Sequence, residues 1–328
     1  MVMHRRRALA TTAILVASYA ASSRAELAPV ALPRVGLLFF GPPPSGADLD
    51  PTAGLREGLA ALGFSDGTNI RLDFRFAGGR RDVMALQVEE LLRLKVKVLV
   101  AGGPAPLDAA RRTTKSVPIV SIGGSDPVRE GWAKTLSRPG GNVTGLTVTF
   151  PELAPKQLEL LKQAVPGLAR VAVLMAPAEL NWPGMDADAR ALGLQLLTLE
   201  VQGPEDFDTA FKNATASGAQ GLYAIATNTI VANRSRIAEL AVVHRLPSIS
   251  ELTLLADAGF LMAYGADLNA LGRRAAGYVD KILRGASPGD LPIERPTDFE
   301  LVINRKTAVL LGVRLPQSVE LRANRVIG

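Results

Sequence analysis

Side chains able to make and break bonds are scarce in this chain. It has two histidines, His4 and His244, and no cysteine. A Cys–His pair is therefore excluded, and a Ser–His–Asp arrangement lacks the Gly-x-Ser-x-Gly turn that would present its nucleophile. His244 ends an apolar helical run next to Arg245, where an imidazole caps the last carbonyls of a helix. No group of acids has the spacing for a carboxylate-only metal site, so neither a metal nor a cofactor is expected. Gly102-Gly103 and Gly123-Gly124 have neither the spaced glycines of a dinucleotide loop nor the Lys-Ser/Thr of a phosphate loop. What such dipeptides can do is simpler. Glycine lets the backbone approach a ligand, and amides at a following helix N-terminus can hold an anionic group such as a carboxylate. The expected class is a binding protein, not an enzyme.

The elements that position these loops repeat one unit. Arg34 to Phe40 is an unbroken apolar run of strand length, followed by a Gly/Pro/Ser-rich loop and a helical pattern through Leu55, Leu59 and Leu62. The order returns with Asn69 to Phe76 and Asp82 to Leu94, with Val96 to Ala101 and Leu107 to Lys115, and with Pro118 to Ile122. A second series starts after Pro151: a helix over Leu153 to Val165, then strands at Arg170 to Met175, Leu194 to Val201, Gly221 to Ile225 and Leu246 to Ile249. Helices over Pro204 to Ala216 and Ile230 to Arg245 separate them. Unbroken Val/Ile/Leu strands alternating with helices predict two doubly wound parallel α/β lobes with a cleft between them. Loops at the carboxyl edges of such sheets form the ligand crevice. In the first lobe these run from Phe39 to Pro42, Ala101 to Pro104 and Ser121 to Asp126. In the second they are Met175 to Pro177, Ala226 to Asn228, Ser250-Glu251 and Tyr264-Gly265.

Charge needs one correction before it is interpreted. The 328 residues carry a net +6, which invites a nucleic-acid partner. Arg5 to Arg7, the uncharged stretch Ala8 to Ala21 and Ser23-Arg24-Ala25 have the layout of an export signal over residues 1–25. The apolar stretch is too short for a membrane span, and Arg6-Arg7 leaves both the general and the twin-arginine export routes open. Removing residues 1–25 deletes four arginines and no acids, leaving 33 basic against 31 acidic residues, a net +2. No nucleic-acid partner is expected. The absence of cysteine suits an oxidising compartment and excludes a lipid-modified N-terminal cysteine.

Four long stretches then become specific: Ser125 to Val148 (SDPVREGWAKTLSRPGGNVTGLTV), Lys156 to Leu174, Gly272 to Pro316 and the ending LRANRVIG. Collinear from about Arg34 to the end, they resemble the ABC-transporter substrate-binding protein family often labelled tryptophan/tyrosine-type. The resemblance implies the type I periplasmic binding-protein fold, with two lobes, a three-crossing hinge, and closure around a solute handed to a permease. It implies a first lobe of residues 34–147 plus 264–296 and a second of 149–262 plus 298–325. Leu268, Leu271, Ala275, Val279 and Ile282 should form a helix that returns to the first sheet, and Phe299 to Asn304 should cross back. The expected protein is a periplasmic monomer that binds a small polar or carboxylate solute, such as an amino acid or aromatic acid, and partners an ABC permease in the inner membrane. A ligand sensor serving a membrane receptor kinase is the alternative. A lactose-repressor-like regulator would need a DNA-binding module where this chain has its signal.

On that reading Ser45, Gly102, Gly103, Ser121 and Gly123 orient a polar or carboxylate end from the first lobe. Thr227, Asn228, Glu251 and Tyr264 close from the second, while Phe39, Phe40 and Trp182 supply apolar surface. Phe39 serves equally as core, and Asp126 fits a capping role better than ligand contact. Related proteins often carry an acid near Thr227-Asn228 to meet a ligand ammonium. Here that dipeptide is neutral, and Glu251 is the acid able to take the role.

Overall fold

The computed structural model describes residues 32–44, 50, 52–124, 126–147, 153–175 and 184–328. The expected export signal over residues 1–25, Ser45 and Trp182 lie outside these residues. Strands β1 (Arg34–Phe39), β2 (Arg71–Phe76), β3 (Val98–Gly102), β4 (Ile119–Gly124) and β5 (Val143–Thr147) alternate with helices α1 (Ala53–Ala61), α2 (Met84–Arg93) and α3 (Pro104–Thr113). The next series is α4 (Ala154–Ala164), β6 (Arg170–Met175), α5 (Met185–Ala191), β7 (Gln195–Glu200), α6 (Phe207–Ala216), β8 (Gly221–Ala224), α7 (Asn228–Ala232), α8 (Arg234–Val243), β9 (Ser248–Leu252), α9 (Thr253–Asp257) and β10 (Met262–Ala266). The tail adds α10 (Leu268–Leu283), β11 (Ile293–Glu294), β12 (Glu300–Asn304), α11 (Arg305–Leu311), α12 (Gln317–Glu320) and β13 (Arg325–Ile327).

The strands form two sheets. The first has the order β11-β5-β4-β3-β1-β2 and is parallel throughout; the second runs β13-β12-β10-β9-β8-β6-β7. The antiparallel pair of the second sheet is β10 with β12, the two strands that bracket the excursion of the tail into the first lobe. Their composition explains their position. In β1, Val35, Leu37 and Leu38 are sealed from solvent, as befits a strand covered on both faces. Helices bury one stripe each, such as Met84, Val88 and Leu91 of α2 at helical spacing.

The tail interweaves the lobes. Helix α10 buries Leu271, Ala275, Val279 and Ile282 beneath β4 and β5 and lies along α1. Two glycines permit that approach. A Cβ on Gly54 would sit 2.0 Å from the Asn269 carbonyl oxygen, and one on Gly272 would sit 2.7 Å from the Leu55 nitrogen. Tyr278 then donates to the Pro292 carbonyl (2.7 Å) and Thr144 to that of Leu291 (2.8 Å), tying the tail to β5 before β11 pairs with it. The chain thus passes between the lobes after β5, after β10 and after β11. The second passage follows Ala266 rather than preceding Tyr264, because Tyr264 stays in the second sheet opposite Leu301 of β12.

Two local expectations are corrected. The helix expected over Ile230 to Arg245 is two helices, α7 and α8, broken at Asn233, whose side-chain amide donates to the Thr229 carbonyl at 2.9 Å; such a side chain competes with the helical backbone. After Asp126 the chain makes successive turns instead of a helix, closed at Gly131 with φ +70°. Asp126 caps them as anticipated, accepting the Val128 and Arg129 amides at 3.1 Å each.

Gly54→Ala gains about 1 kcal/mol of helix propensity, but a Cβ 2.0 Å from a backbone oxygen forces α1 off α10. Overpacking costs about 1–3 kcal/mol, so the variant is expected to unfold at lower urea concentration. Gly277→Ala in the same α10 meets no atom within 4 Å and should gain about 0.5–1 kcal/mol. Equal urea midpoints for the two variants would refute the close-approach account.

Candidate functional site

The site is built where the carboxyl ends of the two sheets face each other. On the first lobe, β1 delivers Phe39-Phe40, β3 delivers Gly102-Gly103 and β4 delivers Ser121 to Gly124. Phe39 is 7% exposed; its ring stacks on Phe76 at 5.7 Å between centroids and packs so closely on Gly102 that a Cβ there would lie 2.4 Å from it. It is core, and the absence of a side chain at Gly102 is what seats it. Ser121 is wholly buried beneath the backbone of Gly124, and its hydroxyl has no hydrogen-bond partner among the described residues. In this arrangement it meets no solvent-sized space. Gly123, with φ +75°, shapes the end of β4 beside it.

Gly103 and Asn228 meet across the lobes. Gly103 is the N-cap of α3, with φ +100°. The Asn228 carbonyl oxygen Oδ1 accepts the Ala105 amide of α3 at 3.3 Å. Thr227 caps α7, its hydroxyl accepting the Ile230 amide at 3.3 Å. A single buried apolar cluster contains Phe39 and Ile122 from one lobe and Val201 and Ile230 from the other, so the two walls are drawn together here.

Beside this seam lies a cavity of about 360 Å³. Phe40, Pro42, Gly78, Gly79 and Arg81 line it from the first lobe; Gln202, Gly203, Pro204, Thr229, Ala232 and Asn233 line it from the second. The Arg81 guanidinium lies over the Phe40 ring, 5.8 Å from its centroid. The loops after β2 and β7 are not among those expected to form the crevice, although the carboxyl-edge rule applied to those two strands points to Gly78-Gly79 and Gln202-Gly203.

Glu251 stands at the carboxyl end of β9, half-buried. Its Oε1 accepts the Ala226 amide at 2.7 Å, and no cation pairs with it among the described residues. Burial is the dominant influence and pushes its carboxyl up to about 7, against the opposing pull of the Ala226 amide, its own backbone amide and the Ser250 hydroxyl. The neighbouring Tyr223 phenol is held well above its ordinary range, first by burial and then by the Glu251 charge. Tyr223 donates to Gln157 Oε1 at 2.6 Å, and Gln157 Nε2 donates to the Tyr264 carbonyl at 2.8 Å. Tyr264 itself turns its ring toward Phe299 at 6.4 Å, so it braces β10 against the start of β12. The structure places Phe40 on the cavity wall and brings Gly103 and Asn228 together across the seam, with Thr227 and Glu251 on the second lobe behind Asn228 and Phe39, Ser121 and Tyr264 in the framework. His244 caps α8 and meets the Thr215 hydroxyl at 3.1 Å, away from this wall.

A family model described as ABC transporter substrate binding protein matches residues 46–327. The chain belongs to that family. This is a binding class rather than a catalytic one, and its two lobes have the type I periplasmic binding-protein fold. The ABC substrate-binding protein is 26% identical over 265 residues to the Tyrosine-binding protein of Clostridioides difficile, covering 80% of this chain and 76% of that protein. Among solved structures, a conserved domain protein from Vibrio cholerae overlays with a TM-score of 0.81 at 28% identity, covering 90% of this chain and 99% of that one. An ABC domain in complex with L-Trp from Streptococcus pneumonia gives 0.81 at 26%, covering 90% and 100%. A ligand-free, open substrate-binding protein from Clostridium difficile gives 0.63 at 24%, covering 90% and 99%.

Burial of the Glu251 carboxyl sets a sign for stability. Its folded pKa, about 7, lies above the ordinary value of 4.5, so the folded state holds the proton more tightly. The stabilisation is complete below about pH 4.5 and is lost as pH rises through 7. The unfolding free energy of the free protein should fall across that window, and Glu251→Gln should flatten this part of the profile. A variant profile parallel to that of the parent would count against a buried, unpaired Glu251.

Proposed function

We propose that this substrate-binding protein is the solute receptor of an ABC importer and closes by a hinge around a small amino acid-type solute bearing one ammonium group. The observation that carries this reading is Glu251: a half-buried carboxyl at the carboxyl edge of the second sheet, held by a backbone amide and lacking a cation among the described residues. Burying an ionised carboxylate is costly unless a positive partner meets it. A ligand ammonium is that partner. The names of two relatives, one a tyrosine-binding protein and one solved with L-Trp, support the amino-acid class, and Phe40 at the cavity wall offers an apolar face for a side chain.

Three passages between lobes suit hinge closure. A solute bound across the seam is then sequestered and presented to a membrane permease, with the protein working outside the cytoplasm after loss of residues 1–25.

The reading has a pH signature. Below about pH 7 a neutral Glu251 must lose its proton before it can pair with an ammonium, so affinity should rise with pH through that region and binding should release a proton. Titration calorimetry in buffers of different ionisation enthalpy reads both effects. Thermal unfolding with a panel of amino acids, and with the matching acids lacking an amine, tests the class: a ligand at 100 times its Kd adds about 2.7 kcal/mol. Stabilisation by an amine-free acid with none from any amino acid would overturn the assignment.

A further inference from the structure

Helix α3 begins Pro104-Ala105-Pro106. Of the amides that normally open outward at a helix N-terminus, two are missing because proline has no N–H. The Gly103 amide is spent on the Ile122 carbonyl at 2.9 Å, and that of Leu107 already turns back to the Gly103 carbonyl at 3.2 Å. The Ala105 N–H alone is left to face the second lobe, and Asn228 Oδ1 accepts it. Both partners are buried, Ala105 at 5% and Asn228 at 9% exposure. Gly103 makes the room: a Cβ there would stand 2.6 Å from Asn228 Nδ2.

We infer that Asn228 is an interlobe latch, a positioning residue of the second lobe that takes the last outward amide of α3 and so sets how much of the protein is closed. The helix terminus that looks from sequence like a carboxylate holder is thereby committed to the protein's own side chain. The latch is held in place from behind, because the loop leading to Asn228 is pinned at Ala226 by Glu251 and at Thr227 by the capping bond to Ile230. On the far side of the seam Ala232 of α7 faces Gly41 of the first lobe, so α7 lies along the join rather than touching it at one point.

For a receptor whose binding-competent form is closed, the apparent Kd equals the intrinsic Kd divided by the closed fraction. A hydrogen bond of ordinary strength moves such an equilibrium about 2- to 10-fold. Asn228 therefore tunes affinity through closure, whichever solute is bound. The inference rests on hinge closure and is independent of the amino-acid assignment.

The test uses the ligand-free protein. The absence of cysteine allows Arg112→Cys on α3 and Lys212→Cys on α6 to carry spin labels, one on each lobe, and pulsed electron–electron resonance reads the distance distribution. Asn228→Ala is expected to move population toward longer distances, with the closed-to-open ratio falling about 2- to 10-fold. Asn228→Asp keeps the accepting oxygen and should retain the parent distribution. Circular dichroism and the urea midpoint establish that each variant is folded. Superimposable distributions for parent and Asn228→Ala, both closed or both open, overturn the latch, as does an Asn228→Asp variant as open as the alanine one. Failure of the amino-acid panel would leave these distributions unaffected, so the two readings fail separately.

Discussion

A half-buried carboxyl group with no counter-charge among the described residues organises the middle of the second lobe. Glu251 ends the strand at the middle of the second sheet, and the backbone around it is packed so tightly that a Cβ on Gly265 would fall 1.7 Å from the Glu251 carbonyl oxygen. Its side chain is half-buried at that end of the strand. It is held by the Ala226 amide, and that bond fixes the start of the loop bearing Thr227 and Asn228. The Glu251 carboxyl is thus hydrogen-bonded to Ala226, two residues before the Asn228 that bridges the lobes. Charge at one and contact at the other share a short piece of backbone.

The same neighbourhood reaches the hinge. Gln157, fully buried at the start of α4, accepts from Tyr223 and donates to the Tyr264 carbonyl, so one side chain fastens β8, α4 and β10 together. Helix α4 follows the first passage between lobes, and β10 precedes the second. A buried amide with both ends satisfied holds these elements in one register, because separating them would strand a phenol and a carbonyl without partners at about 1–3 kcal/mol each. The second lobe is therefore braced across these three elements. On the opposite side, the glycine-mediated contact of α10 with α1 does the same for the first lobe.

Much of this arrangement is legible in the sequence because it rests on local pattern. Apolar runs such as RVGLLF and VLVAG declare buried parallel strands, and Leu271, Ala275, Val279 and Ile282 declare the face of α10. Asp126 before Pro127 announces a cap by the same short-range logic. What escapes is set by contacts between residues far apart. Asn233 breaks a helix that its neighbours' pattern continues, since a side-chain amide competing for a carbonyl leaves no mark in hydrophobic periodicity. Gly103 resembles any turn glycine until Asn228, 125 positions later, is seen above it. Phe39 and Tyr264 stand at strand ends that could face either way, and only cross-strand packing on Phe76 and Phe299 sends both into the framework.

Asn228 and Glu251 do different work at this end of the second lobe. Asn228 is a neutral amide and Glu251 is the acid hydrogen-bonded to the loop that carries it, while the cavity beside the seam has the Arg81 guanidinium in its lining. An acid in place of Asn228 would sit at the positive end of α3 and be satisfied there by the helix, so it would bring the lobes together without serving a ligand. Because the Ala105 amide is already taken by Asn228, the N-terminus of α3 is committed to the protein's own side chain. The hydrogen bond across the seam and the Glu251 carboxyl are therefore chemically distinct groups joined by one short loop. A change at Gly103 or Asn228 acts on the interlobe contact directly, whereas a change at Glu251 reaches it through the Ala226 amide that positions the loop.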